Sequence, residues 1–263
     1  MPKLIVTDLD GTLLRRDKTI SDYTAKVFAQ CRERGIKIAF ATARPPFSVN
    51  ELPASDIISP DACTYHNGVI VAVGDEIIGH YPIPYSAAES IVKRAEQQFP
   101  DIRIFVEAGD FTYANFTEAW WKGRKLYSDF TKMPCNTVDK IAFCTPKWDT
   151  PIEPDTVAGL TALLSNDLHF TMTVMLTEGG QFMPVASKRA DKSIAVAEIA
   201  AHFDIKMSDV VAFGDDINDL EMLRVCGVGV AMDNAVAAIK ETADCICESN
   251  DEDGVSKWIS KNV

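Results

Sequence analysis

Lys3-Leu4-Ile5-Val6-Thr7-Asp8-Leu9-Asp10-Gly11-Thr12 is the stretch on which the reading of this chain turns. Leu4, Ile5 and Val6 form an unbroken apolar run, the pattern of a short strand buried on both faces, and the run stops at acid and glycine. Two carboxylates, Asp8 and Asp10, then stand two residues apart where the strand should end. Alternation along a strand would aim them the same way. Gly11 would let the backbone turn at once. Taken alone, the same letters also describe a strand that simply terminates in an acidic turn.

The neighbouring sequence decides between the two. Ser21 is a candidate N-cap for a helix through Ala25, Val27, Phe28 and Cys31, Gly35 closes it, and Ile36 to Ala41 is a second apolar run. The alternation returns near the C-terminus as a helix Ile194 to Phe203, a strand Val210 to Phe213, a helix Asp219 to Val225 and a strand Val228 to Ala231. Such crossovers build a parallel sheet with helices on its faces. From Pro82 to Ser187 the pattern changes to a helix Ser86 to Phe99, strands Arg103 to Val106 and Phe111 to Phe116 around Ala108-Gly109-Asp110, a strand Lys140 to Cys144, a helix Pro154 to Leu164, and strands Phe170 to Leu176 and Gln181 to Val185 joined through Glu178-Gly179-Gly180. The predicted fold is therefore α/β. A doubly wound, Rossmann-like parallel-sheet core is built discontinuously from residues 1–81 and 188–263, and residues 82–187 are inserted as an α+β cap domain.

Composition narrows the function. The 263 residues carry 38 acids against 26 bases, a formal net charge of −12, so the surface should repel polyanions and no nucleic-acid partner is expected. No segment approaches the ~18 uncharged apolar residues of a membrane span, so no membrane partner is expected either. Met1 to Val6 runs straight into Asp8 without the long apolar region of a secretory signal. Seven cysteines without regular spacing suit a reducing compartment, and the expected location is cytoplasmic.

A second acidic cluster, Gly214-Asp215-Asp216-Ile217-Asn218-Asp219, follows the strand that ends at Phe213. By itself it would be a capped helix start with acids favourable to the dipole. Parallel neighbours, however, would bring it beside Asp8 and Asp10 at the carboxyl edge of the sheet, where such folds bind ligands. That many carboxylates cannot share a pocket without a cation. Oxygen ligands with no nearby His or Cys select a hard ion, and Mg²⁺ fits. Thr42, closing the second strand, offers a hydroxyl, and Lys192, opening the helix after the insert, offers a compact positive charge. Each alone would be ordinary turn or surface chemistry.

The set Asp8-x-Asp10-Gly11-Thr12, Thr42, Lys192 and Gly214-Asp215-x-x-Asn218-Asp219 resembles the four motifs of the haloacid dehalogenase superfamily of phosphotransferases. The insert is similar to the type IIB cap of the Cof-like sugar-phosphatase branch, as is Asn67-Gly68 in Tyr65-His66-Asn67-Gly68. Ala43 and Ser193 depart from that branch, which commonly has glycine at both places. The resemblance implies a Mg²⁺-dependent phosphatase of small phosphorylated metabolites, sugar phosphates in particular, working in a cleft between core and cap. It implies Asp8 as the nucleophile that forms an aspartyl-phosphate, and Asp10 as general acid and then base. Asp8, Asp215 and the main-chain carbonyl of Asp10 would hold the metal, with Asp219 and Asn218 completing or orienting that shell. Thr42 would bind the phosphoryl group, Lys192 would neutralise charge, and Arg44 is a candidate for substrate contact.

Two other readings use the same residues. A phosphomutase would pass the phosphoryl group to a second sugar hydroxyl instead of water, and a phosphoryl-accepting regulatory domain also combines clustered aspartates, threonine and lysine. Cys245-Ile246-Cys247 reads as core packing, Trp120-Trp121-Lys122-Gly123-Arg124-Lys125 as packed tryptophans beside solvated cations, and His66 as a polar loop residue. The sequence leaves the oligomeric state open.

Overall fold

A computed structural model describes residues 1–116, 124–145, 151–164, 170–172, 175–177 and 180–263. Two compact units emerge, Met1–His80 together with Arg189–Val263, and Tyr81–Lys188. Labels below follow chain order through both.

In the first unit the opening strand β1 (Leu4–Thr7) is wholly buried. It leads to α1 (Asp22–Glu33), whose Ser21 cap accepts from the Thr24 amide at 3.0 Å. A cap of this kind contributes about 1 kcal/mol. Then come β2 (Lys37–Ala41), α2 (Pro46–Asn50), α3 (Pro53–Ile58), β3 (Ala62–Tyr65), β4 (Ile70–Val73) and β5 (Glu76–His80). After the second unit the chain returns through α6 (Lys192–His202), β15 (Val210–Gly214), α7 (Leu220–Val225), β16 (Val228–Met232), α8 (Ala237–Thr242), β17 (Cys245–Cys247) and α9 (Gly254–Asn262). These strands form one eight-stranded sheet in the order β17-β16-β15-β1-β2-β3-β4-β5. The six from β17 to β3 are parallel. β4 and β5 add an antiparallel edge to this parallel-sheet core.

The register positions the chemistry. Thr7 pairs with Phe213 on one side and Phe40 on the other, so Asp8, Asp215 and Thr42 all emerge at the carboxyl end of three adjacent strands. β1 stops at Thr7, before either acid of the first cluster, so strand alternation does not govern where Asp8 and Asp10 point.

The second unit contains β6 (Ile83–Pro84), α4 (Tyr85–Gln98), β7 (Arg103–Ala108), β8 (Phe111–Ala114), β9 (Lys125–Tyr127), β10 (Thr137–Val138), β11 (Lys140–Cys144), α5 (Pro154–Leu164), β12 (Phe170–Met172), β13 (Met175–Thr177) and β14 (Gly180–Ser187). β7, β8, β11 and β14 carry the main sheet, antiparallel where they pair with one another. Residues on alternate positions of β7 and β11, such as Ile104, Val106, Ile141 and Phe143, pack with Ile91 and Leu160 of α4 and α5 into one buried core. The strand expected over Phe170 to Leu176 is two strands, β12 and β13, each antiparallel to β14. Trp120 to Gly123, and Glu178-Gly179, lie outside the described residues.

All seven cysteines are free thiols. Among the described residues, no helix is long and apolar enough to cross a membrane.

Candidate active site

Asp8 lies just past β1 and is buried, with its amide donating to the Phe213 carbonyl at 3.0 Å. Its carboxylate meets the ammonium of Lys192, which donates to Asp8 Oδ1 at 2.7 Å and to Asp219 Oδ1 at 2.6 Å. Lys192 is the first residue of α6 and is fully buried. Burial works against its charge, but Asp219 and Asp8 outweigh that and hold its pKa above the ordinary lysine value. A lysine so placed stays charged because two carboxylates lie within hydrogen-bond reach of its ammonium.

The other acidic loop is built around Asp219. One of its oxygens faces Lys192, and Oδ2 accepts from the main-chain amides of Asp215 at 3.0 Å and Asp216 at 3.2 Å. A Cβ on Gly214 would strike Asp219, which explains glycine at that position. Asp219 thus folds its own loop and presents Asp215 toward Asp8. Thr12 donates its hydroxyl to Asp215 Oδ1 at 2.7 Å. Gly11, at φ +80°, brings its backbone so close that a Cβ would collide with the Asp215 carboxylate.

Ligand atoms of Asp8, Asp215 and Asp219 lie within 4.8 Å of one another. Burial pushes Asp8 well above the usual carboxylate range, Lys192 opposing and the other two aspartates adding to it. Burial likewise pushes Asp215 up to about 7, against the Thr12 hydrogen bond and with Asp219 adding. One ammonium therefore does not compensate the cluster. Among the described residues no hydrogen bond reaches Asp8 Oδ2 or Asp215 Oδ2. Two spare, hard, negatively charged oxygens beside a cluster short of positive charge fit a divalent cation such as Mg²⁺. Asp219, with both oxygens engaged, fits the part of orienting that set. The Asp10 carboxylate is outside this set and is held elsewhere.

The carboxylate of Asp10 accepts a two-pronged contact from Arg44, Nε to Oδ2 at 2.5 Å and Nη2 to Oδ1 at 2.7 Å, and Lys18 Nζ approaches Oδ1 at 3.1 Å. Burial raises the Asp10 pKa, but the Arg44 and Lys18 contacts prevail and hold it below the usual range. Arg44 is half-buried and further fixed by Ser48 at 3.0 Å, so it is not a free surface residue. Sequence gave no sign of the Asp10–Arg44 pair or of Lys18, because nothing local links positions 34 residues apart.

Thr42 is buried and its hydroxyl accepts from the Arg44 amide at 3.1 Å. Asn218 donates to Asn67 Oδ1 at 2.9 Å. Asn67 is held at φ 58° with its amide on the Thr42 carbonyl at 2.9 Å, and Gly68 at φ +101° leaves no room for a Cβ against the Asp191 carbonyl. Asn67-Gly68 therefore joins the Thr42 loop to the start of α6. His66, expected as a polar loop residue, is buried in this turn. Ser193 takes part in capping α6, its amide donating to Asp191 at 2.7 Å. Cys247 is buried and Cys245 half-buried.

A family model described as haloacid dehalogenase-like hydrolase matches residues 5–259. The 5-amino-6-(5-phospho-D-ribitylamino)uracil phosphatase YcsE of Bacillus subtilis is 29% identical over 262 residues, covering 98% of this chain and 94% of its own. The HMP-PP phosphatase of Enterobacter sp. is 27% identical over 244 residues, covering 90% and 86%. A solved haloacid dehalogenase-like hydrolase from Bacteroides thetaiotaomicron shares the fold with a TM-score of 0.84 at 22% identity, over 100% of both chains.

Proposed function

The chain belongs to the haloacid dehalogenase-like hydrolase family, and we propose that it is a Mg²⁺-dependent phosphatase that releases phosphate from small phosphorylated metabolites, sugar phosphates in particular, through an aspartyl-phosphate on Asp8. The observation that carries this reading is the buried triad in which Lys192 bridges Asp8 and Asp219 while Asp215 stands opposite with a spare oxygen. The relatives named as phosphatases of small phosphorylated compounds support the substrate class.

Asp8, Asp215 and the main-chain carbonyl of Asp10 would hold the cation, whose charge, when bound, offsets that of the incoming phosphoryl group. Asp8 attacks phosphorus through a carboxylate oxygen; the new O–P bond forms as the ester O–P bond breaks. Lys192, fixed 2.7 Å from Asp8, offsets negative charge as it moves onto the phosphoryl oxygens. The Thr42 hydroxyl donates to one of those oxygens. Asp10 gives a proton to the leaving alkoxide and then takes one from the water that attacks phosphorus, after which the Asp8–phosphate bond breaks and inorganic phosphate departs. Because Asp10 is gripped by Arg44 in the structure, it carries a proton only once Arg44 lets go, and a phosphate dianion is the natural competitor for that guanidinium. Seven free thiols suit a reducing, cytoplasmic setting.

The test is phosphate release over a panel of phosphorylated metabolites, with Mg²⁺ and with EDTA. Turnover should require the metal, and Asp8→Asn should abolish it in a folded protein. Metal-independent turnover, or an active Asp8→Asn variant, would refute the assignment.

A further inference from the structure

The loop between β16 and α8, Asp233-Asn234-Ala235-Val236, has no part in the chemistry above, yet it touches both acidic loops. The Val236 amide donates to the main-chain carbonyl of Asp215 at 3.0 Å. Asn234 donates from Nδ2 to the Gly11 carbonyl at 2.7 Å, and its Oδ1 accepts from the Asn250 amide at 3.0 Å. Asn250 is buried and donates its own Nδ2 to the Leu14 carbonyl at 2.8 Å. One partner of Asn234 can only accept and the other can only donate, so a carboxamide is the short side chain whose two ends match both.

The Gly11 carbonyl is a consequential group to pin. Glycine at φ +80° has no side chain to define its conformation, so its peptide plane needs an outside constraint. That plane carries straight into Thr12, whose hydroxyl is the hydrogen-bond donor to Asp215 Oδ1. A single loop thus holds Asp215 twice, directly at its main chain through Val236 and at its carboxylate through Asn234, Gly11 and Thr12.

We propose that Asn234 is a positioning residue that sets the separation of the Asp8 loop from Asp215 and thereby the affinity for the divalent cation. The inference rests on the reading of Asp8 and Asp215 as metal ligands, and it adds a residue that never contacts the metal or the substrate. A side chain that merely tethered a surface turn would affect melting and leave metal affinity alone.

The experiment is calorimetric titration of MgCl₂ into the substrate-free full-length protein, with thermal midpoints and p-nitrophenyl phosphate kinetics alongside, for wild type, Asn234→Ala, Asn234→Asp and Asp233→Ala. Asn234→Ala should weaken Mg²⁺ binding about tenfold, the scale of lost outer-shell support, with the midpoint within a few degrees of wild type and kcat reduced more than KM is raised. Asn234→Asp keeps the acceptor for Asn250 and loses the donor to Gly11. Its added negative charge favours cations by itself, so weaker binding there isolates the Gly11 bond. Asp233→Ala, whose side chain pairs with Lys240, should bind as wild type does. Wild-type affinity in Asn234→Ala, undiminished affinity in Asn234→Asp, or an equal loss in Asp233→Ala would overturn the proposal. A wild type that binds Mg²⁺ but releases no phosphate would sink the phosphatase reading, and the titration would still decide this one; a wild type that binds no Mg²⁺ would overturn both.

Discussion

Replacing Asp215 with asparagine should make the metal-free protein more stable. Burial, opposed by Thr12 and reinforced by Asp219, pushes the Asp215 carboxyl up to about 7 in the folded chain, whereas an unfolded aspartate titrates near 3.9. Well below pH 4 both states hold the proton and the group contributes nothing. Between the two values the folded chain keeps a proton that the unfolded chain has released, so stability falls as pH rises through that window, and by pH 8 the whole cost is present. Three decades of proton concentration at about 1.4 kcal/mol each set a ceiling of ~4 kcal/mol. The Asp8 carboxyl beside it is pushed up too, so one substitution relieves only part of that, about half, ~2 kcal/mol. Asparagine keeps an oxygen for the Thr12 hydroxyl, so no hydrogen bond need be lost. Urea unfolding in EDTA should show Asp215→Asn more stable than wild type at pH 8, with a clearly smaller gain at pH 5.5. Excess Mg²⁺ should reverse the order, since a ligand at a hundredfold its Kd adds about 2.7 kcal/mol to wild type and little to the variant. A variant less stable than wild type at pH 8 in EDTA, or a gain that grows toward acid pH, would refute the reasoning.

Lys192→Ala removes the ammonium shared at 2.7 and 2.6 Å by two buried carboxylates and should cost ~3–5 kcal/mol, read as a lowered thermal midpoint; a variant that melts with wild type would contradict the bridge. Gly68→Ala must fit a Cβ 2.6 Å from the Asp191 carbonyl at φ +101°. A loss of at least ~2 kcal/mol in chemical denaturation is expected, from backbone strain and overpacking together. Burial raises the thiols of Cys226 and Cys247 up to about 12 and that of Cys63 up to about 11. At pH 8 the thiolate fraction is then ~10⁻³ or less, and iodoacetamide followed by mass spectrometry should leave all three unmodified until urea is added.

Long apolar runs made most of the core legible. Leu4 to Val6, Ile36 to Ala41 and Val210 to Phe213 can only be buried strands, and the helices between them impose parallel crossovers. β3 to β5 escaped because Ala62-Cys63-Thr64-Tyr65 is short and weakly apolar, while β5 exposes Ile77 and β4 meets it across a register shift at Val71/Ala72. In the site, residues that follow strands were found because sheet topology fixes where strand ends lie. The ion pair of Asp10 with Arg44, the Asn67–Asn218 contact and the Asn234 staple depend on where loops turn back. No local propensity encodes those approaches. Gly11, Asn67 and Gly68, all at positive φ, are among the residues whose backbone marks these loops as tightly constrained.

The charge of the cluster also bears on which ion the proposed site would take. When all three are ionised, Asp8, Asp215 and Asp219 bring three negative charges against the single positive charge of Lys192. Main-chain amides at Asp219 and the Thr12 hydroxyl at Asp215 soften that imbalance but add no charge. A monovalent cation would leave a residual negative charge facing a phosphate dianion, whereas a divalent one brings the set to neutrality before substrate arrives. Asp219 spends both oxygens on the lysine and on its own loop, so the remaining negative charge is concentrated on Asp8 and Asp215, the two residues with spare oxygens. The raised pKa values of these two are the energetic trace of the same arrangement: the fold holds two carboxylates where water cannot solvate them well, and that unrelieved charge would give a hard divalent ion its advantage over protons near neutral pH.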